Sequence, residues 1–81
     1  MRCDKYLKVS RLIKRREVAK QMLDAKKITV NGKIAKPATE VKVDDILEIT
    51  TPSGQVFKVK ILQVLEHASV DNAKEMYTNI E

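Results

Sequence analysis

Asn31-Gly32 constrains this chain more than any other dipeptide. It stands between Lys27-Ile28-Thr29-Val30 and Lys33-Ile34-Ala35. Asn-Gly supplies the two positive-φ residues of a type I′ turn, the turn that joins antiparallel strands without splaying them. Ile28 and Val30 alternate with polar residues, which predicts a half-buried strand. The residues that lead into this hairpin, from Arg2 onward, read as two short amphipathic helices.

Asp4 is placed to cap the first helix by accepting from the free amides of the next turn. Cys3, Tyr6 and Leu7 are its apolar residues at helical spacing, while Lys5 and Lys8 point elsewhere. Ser10 interrupts the pattern, and Leu12 and Ile13 are the apolar residues of a short connection. The second helix is expected from Lys14 or Arg15 to Ala25, with Val18, Ala19, Met22 and Leu23 as its buried stripe. Arg16 and Lys20 are four apart and share another face. Glu17 suits the start of that helix. Arg15 and Arg16 oppose the helix macrodipole there, at a local cost of about 0.5 kcal/mol each. A sequence that keeps such a conflict is usually serving a ligand. An anion at this helix start would be held by free backbone amides as well as by the arginines.

Beyond the hairpin, Pro37 ends the unit. Glu40-Val41-Lys42-Val43 alternates briefly, and Asp44-Asp45 makes a turn. Ile46-Leu47-Glu48-Ile49-Thr50 reads as a strand. Pro52-Ser53-Gly54-Gln55 is a turn, and Val56 to Ile61 a further strand, with a continuation to Leu65. His67 to Asp71 reads as a loop. Ser69 or Asp71 would cap a last helical turn or two through Ala73, Met76 and Tyr77. The expected architecture is α+β, with two short helices packed on a small antiparallel sheet. One domain is expected over residues 1–65, followed by a C-terminal tail over 66–81 with a short helix. Eighty-one residues give room for one small core.

The charge is segregated. Residues 1–36 hold twelve Lys and Arg against three acids, a balance of +9, whereas residues 37–81 hold four Lys against eight acids, a balance of −4. A surface made only for solubility mixes the signs, and segregation of this size points to a polyanion. No run of 18 apolar residues is present to span a membrane. The N-terminus has no apolar stretch of a secretory signal. The single Cys3 leaves no internal disulfide and fits a reducing cytoplasm. Cys3 and His67 each stand alone, so a zinc site lacks ligands. There is no Gly-rich phosphate loop and no Ser/His/Asp or Cys/His set. The expectation is therefore a cytoplasmic binding protein, not an enzyme, with no cofactor, no metal and no small-molecule substrate. Aromatic residues number only three, so stacking on single strands is not its main device. Shape and phosphate recognition of folded RNA suits it better. Tyr6 reads as core in preference to a base-stacking platform.

The ordered parts Arg2-Cys3-Asp4-Lys5-Tyr6-Leu7, Ser10-Arg11-Leu12, Lys14-Arg15-Arg16, Ala19-Lys20 and Val30-Asn31-Gly32 resemble the S4-type RNA-binding domain, built on an αL motif, over about residues 2–60. Within that family the chain is similar to the short bacterial ribosome quality-control proteins of the RqcP (YabO) type. It is also similar to the fifteen-kilodalton ribosome-associated heat-shock protein. Lys8-Val9-Ser10-Arg11-Leu12-Ile13-Lys14-Arg15-Arg16, Ala35-Lys36-Pro37 and Met76-Tyr77 carry the likeness to the first of these. The resemblance implies docking on ribosomal RNA of the large subunit with peptidyl-tRNA present, in quality control of stalled translation, as a monomer. It implies an RNA-binding surface of Arg2, Lys5, Lys8, Ser10, Arg11, Lys14, Arg15, Arg16, Lys20, Asn31, Gly32 and Lys33. Cys3 departs from the Leu usual in relatives. Arg15 stands where other families with this domain often place a Ser or Thr helix cap. The competing readings are a general rRNA- or tRNA-binding module in ribosome assembly, a helix-turn-helix DNA binder, and a protein-interaction module using the acidic half.

Overall fold

The computed structural model describes residues 1–80. Helix α1 spans Cys3–Val9 and starts at Arg2 with no side-chain cap. Its first amides are satisfied from a distance instead. Cys3 donates to the carbonyl of Thr39 at 2.7 Å and Asp4 to that of Pro37 at 3.2 Å. The first free donors of a helix need such partners, and here a loop more than thirty residues away supplies two of them. Asp4, expected as the cap, lies inside the first turn and is fully buried. One carboxylate oxygen still accepts from the Lys5 amide at 2.8 Å. The helix ends at Ser10, whose hydroxyl donates to the Leu7 carbonyl at 3.3 Å. Arg11 follows in the left-handed region at φ 62°.

Helix α2 spans Arg16–Asp24, with Arg15 extended at its N-terminus and offering no side-chain cap. The chain leaves it through a Schellman turn: Lys26 donates to the Leu23 carbonyl and Lys27 to that of Met22, at 3.1 and 3.0 Å. Lys26 takes the left-handed position at φ 63°. Ala19 and Leu23, four apart, are its buried residues. Val18 was expected beside them and is instead 40% exposed. A helix this short packs along one narrow line, and the residue before Ala19 is turned about 100° away from it.

Strands β1 (Ile28–Val30), β2 (Lys33–Ile34), β3 (Ile46–Thr50) and β4 (Val56–Ile61), short helix α3 (Val70–Lys74) and strand β5 (Tyr77–Asn79) complete the order. The sheet runs β2-β1-β3-β4-β5 and every pairing is antiparallel. Asn31 at φ 52° and Gly32 at φ 83° give the β1–β2 turn its two positive dihedrals, and Val30 pairs with Lys33 across it. Ile28 faces Ile49, Leu47 faces Val59, and Ile61 faces Tyr77. These residues share one core with Cys3, Tyr6, Leu7, Ala19 and Leu23, while Met76 closes it from the C-terminal side. Thr29, Glu48, Lys58 and Lys60 alternate with them on the other face, and Glu48 pairs with Lys58 across the strands.

The alternating residues 40–43 form no strand; an isolated bridge joins Glu40 to Arg2, and Val41 alone of its pair of valines is buried. Two sequence expectations change. Strand β4 stops at Ile61, where the next two amides, Leu62 and Gln63, both turn to the Met76 carbonyl. Ser69 does cap α3, accepting from the Asn72 amide at 3.2 Å, but the helix ends at Lys74. Met76 and Tyr77 are not helical. A helix of five residues has little stability of its own, and pairing along β4 satisfies the backbone of residues 77–79 instead. Among the described residues no helix is long and apolar enough to cross a membrane.

Candidate nucleic-acid interface

The two helices meet at one buried carboxylate. Arg2 at the head of α1 and Arg16 at the head of α2 both reach Asp4. Arg2 Nε lies 3.3 Å from Oδ1 and its Nη2 donates to Oδ2 at 3.3 Å. Arg16 Nε lies 3.3 Å from Oδ2 and its Nη2 donates to Oδ1 at 3.4 Å. The Arg16 Nε itself is buried and makes no hydrogen bond, so that contact is charge attraction alone. Asp4 is wholly inaccessible, while the arginine side chains are 48% and 38% exposed. A buried carboxylate is costly unless partnered, and here it has two partners. One anion between two guanidinium groups leaves one positive charge in excess. It also holds both forks in place while part of each faces solvent, ready for the bidentate contacts that arginine makes with phosphate.

Lys14 and Arg15 are exposed beside this cluster at the uncapped start of α2, and Lys20 lies exposed one turn further along. The hairpin turn has a different anchor. Asn31 Nδ2 donates to Asp45 Oδ1 at 3.0 Å, and Asn31 Oδ1 accepts from the Ile46 amide at 2.9 Å. The backbone amide of Asn31 donates to the Ile46 carbonyl at 2.8 Å. Asp45, 5% exposed, also accepts from the Lys42 amide at 3.0 Å. Both polar atoms of the Asn31 side chain are thus engaged in fixing the turn against β3. Gly32 and Lys33 remain exposed at its tip.

Two of the expected residues sit differently. Lys5 donates to Glu66, which brings the C-terminal segment against α1 and neutralises that ammonium. The same hydrogen bond and charge lower the pKa of Glu66. Ser10 is buried and its hydroxyl is spent on the end of α1, so it has no surface to offer a ligand. Lys14 also lines a cleft of about 430 Å³ together with Lys8, Arg11, Glu66, His67 and Ala68. Sequence reasoning missed Asp45 and the Glu66–Ala68 wall. The Asp44-Asp45 pair had signalled a turn, while nothing local in residues 66–68 announces their docking on α1. Beneath this surface, burial pushes the Cys3 thiol up to about 12 and raises the Tyr6 phenol as well, so both stay protonated in the folded protein. Among the described residues there is no group of side chains that could hold a metal ion.

Two helices joined through a shared carboxylate, set on an antiparallel sheet and rimmed with exposed cations, define a small α+β protein with a surface suited to polyanions. The S4 domain family matches residues 1–47. The "RQC P-site tRNA stabilizing factor" of Listeria monocytogenes is 51% identical over 81 residues, covering all of this chain and 87% of the relative. The protein of the same name in Bacillus subtilis is 43% identical over 79 residues, covering 96% of this chain and 90% of its own. The trimeric structure of Vibrio cholerae Heat Shock Protein 15 has the same fold, with a TM-score of 0.87 at 24% identity over 99% of this chain and 81% of that one. The chain belongs to the S4 domain family, in the branch whose members carry the name RQC P-site tRNA stabilizing factor.

Proposed function

We propose that this protein binds RNA on the large ribosomal subunit, with peptidyl-tRNA in place, during quality control of stalled translation. The observation that carries the reading is the Arg2–Asp4–Arg16 cluster, where a buried carboxylate presets two partly exposed arginine side chains. The names of the full-length relatives, which cite the P-site tRNA, support it. The protein acts by docking: its cations meet phosphates that the folded RNA already presents. Phosphate contacts alone carry no sequence information, so selectivity comes from a composite target. The Arg2–Arg16 cluster takes one RNA, Gly32 and Lys33 at the hairpin tip reach a second, and the second contact is then effectively intramolecular. The unit that acts is a monomer in the cytoplasm, its binding domain taken as residues 1–65 with 66–81 as an attached segment.

The test is a sucrose-gradient fractionation of tagged protein, probed for tRNA. Recovery with large subunits that hold tRNA is expected. Equal recovery with small subunits, or with large subunits free of tRNA, would leave only general RNA binding. The log–log salt slope of binding to a structured rRNA fragment should be about −4 to −6 if five to seven phosphates are neutralised.

A further inference from the structure

The cleft between the end of α1 and residues 66–68 borders the Arg2–Asp4–Arg16 cluster on its Lys14 side, two residues before Arg16. Arg2 and Asp4 lie at the other end of α1, and a seven-residue helix is about 10 Å long. The cleft's volume of about 430 Å³ falls within the roughly 300–1,000 Å³ usual for ligand pockets. Lys8, Arg11 and Lys14, all exposed, line it together with His67. The one acid on the lining, Glu66, already carries the Lys5 ammonium. Arg11 reaches the cleft from a left-handed backbone conformation, φ 62°, that favours glycine. Strain of this kind is commonly kept where a side chain has a task.

We infer that this cleft is a second phosphate site, taking a backbone phosphate of the same bound RNA between Arg11, Lys14 and His67, with His67 gaining a proton as the phosphate enters. The inference rests on the RNA-binding reading above and adds to it a site built partly from outside residues 1–47, the stretch that the S4 domain matches. Lys8, Arg11, Lys14 and Glu66 are the charged groups that share the cleft with His67. An anion held among them favours the charged form of a neighbouring imidazole.

His67 is the single histidine of the chain, so its imidazole C2 proton gives one unambiguous NMR signal. The experiment follows that signal against pH in the full chain: alone, with inorganic phosphate, and with a saturating structured rRNA fragment. The titration midpoint should rise by about half a unit with RNA, which by linkage corresponds to about threefold tighter binding at about pH 6 than at about pH 8. Inorganic phosphate should move it in the same direction by less. In an Arg11→Gln/Lys14→Gln double variant with unchanged melting temperature, both shifts should vanish. His67→Gln should abolish the pH dependence of RNA affinity in that range. If wild-type protein binds no RNA, this inference and the proposed function fall together. If it binds RNA at saturation while the His67 midpoint stays still, the cleft is no phosphate site and the proposed function stands without it.

Discussion

The Tyr6 hydroxyl donates to the Met76 carbonyl at 2.8 Å across seventy residues of sequence, and both residues are fully buried. The same carbonyl accepts from the amides of Leu62 and Gln63 at 2.7 and 3.1 Å. One oxygen therefore ties α1, the end of β4 and the approach to β5. Tyr6→Phe keeps the ring and removes one of three donors, leaving no carbonyl orphaned. The loss should be about 0.5–1.5 kcal/mol of stability, read from urea denaturation with an unchanged m-value. RNA affinity should stay at the wild-type level, because Tyr6 has no exposed atoms to lend to a ligand.

The raised Cys3 and Tyr6 values predict alkaline lability. The thiol rises from 9.0 to about 12 and the phenol rises from 10.0. The unfolded chain releases these protons at lower pH than the folded one does. Their contribution is complete below pH 9 and declines as pH climbs through the folded values. Each group removes up to about 1.4 kcal/mol per pH unit within its window. Melting temperature should therefore fall from about pH 9 upward. Cys3→Ala should delay the onset toward pH 10, where the phenol alone remains. A melting temperature level through this range would remove burial as the cause.

Arg2 and Arg16 should prove non-additive. Either single alanine leaves Asp4 with one guanidinium, and the stability loss should be modest, about 1 kcal/mol. The double alanine leaves a fully buried carboxylate unpaired, at about 3–5 kcal/mol. A double-mutant cycle by denaturation measures the coupling. In RNA binding, Arg16→Ala alone should cost about 1–3 kcal/mol. Identical proportional losses in folding and binding across the series would make both arginines structural supports for Asp4 and nothing more.

Lys26 offers a stabilising substitution. It occupies the left-handed position after α2, where a non-glycine residue costs about 1–2 kcal/mol. Lys26→Gly relieves that cost, while the added freedom of glycine in the unfolded chain takes back about 0.4–1 kcal/mol. The net gain should be about 0.5–1 kcal/mol in chemical denaturation, opposite in sign to most substitutions. A destabilised variant would show that the Lys26 side chain contributes more than its backbone costs.

The elements most legible in the sequence are those fixed by neighbours a few residues away. Asn31-Gly32 dictated its own turn, and Ala19 with Leu23 dictated the buried line of α2. The two-helix, antiparallel-sheet architecture and the exposed placing of Lys14, Arg15 and Lys20 follow from the same local patterns. What escaped depends on distant partners. Asp4 looks like a cap because its true neighbours, Arg16 and the Pro37 carbonyl, arrive from other parts of the chain. Met76 and Tyr77 follow a helix-compatible run, and only the exposed edge of β4 makes Tyr77–Asn79 a strand, as pairing context commonly decides. Ser10 sits in the middle of a basic motif, yet its burial answers to the end of α1.

The anchoring of α1 has a consequence for how the chain acquires its shape. The carbonyls that receive Cys3 and Asp4 belong to Thr39 and Pro37, and the one that receives Tyr6 belongs to Met76. This helix is therefore made well before the residues that receive these bonds. Contacts so far apart along the chain slow folding. The Arg2 end of this basic surface waits for residues 37–40, and the Tyr6 anchor of the same helix waits for residue 76, so a growing chain and a finished one present the same cations with different rigidity.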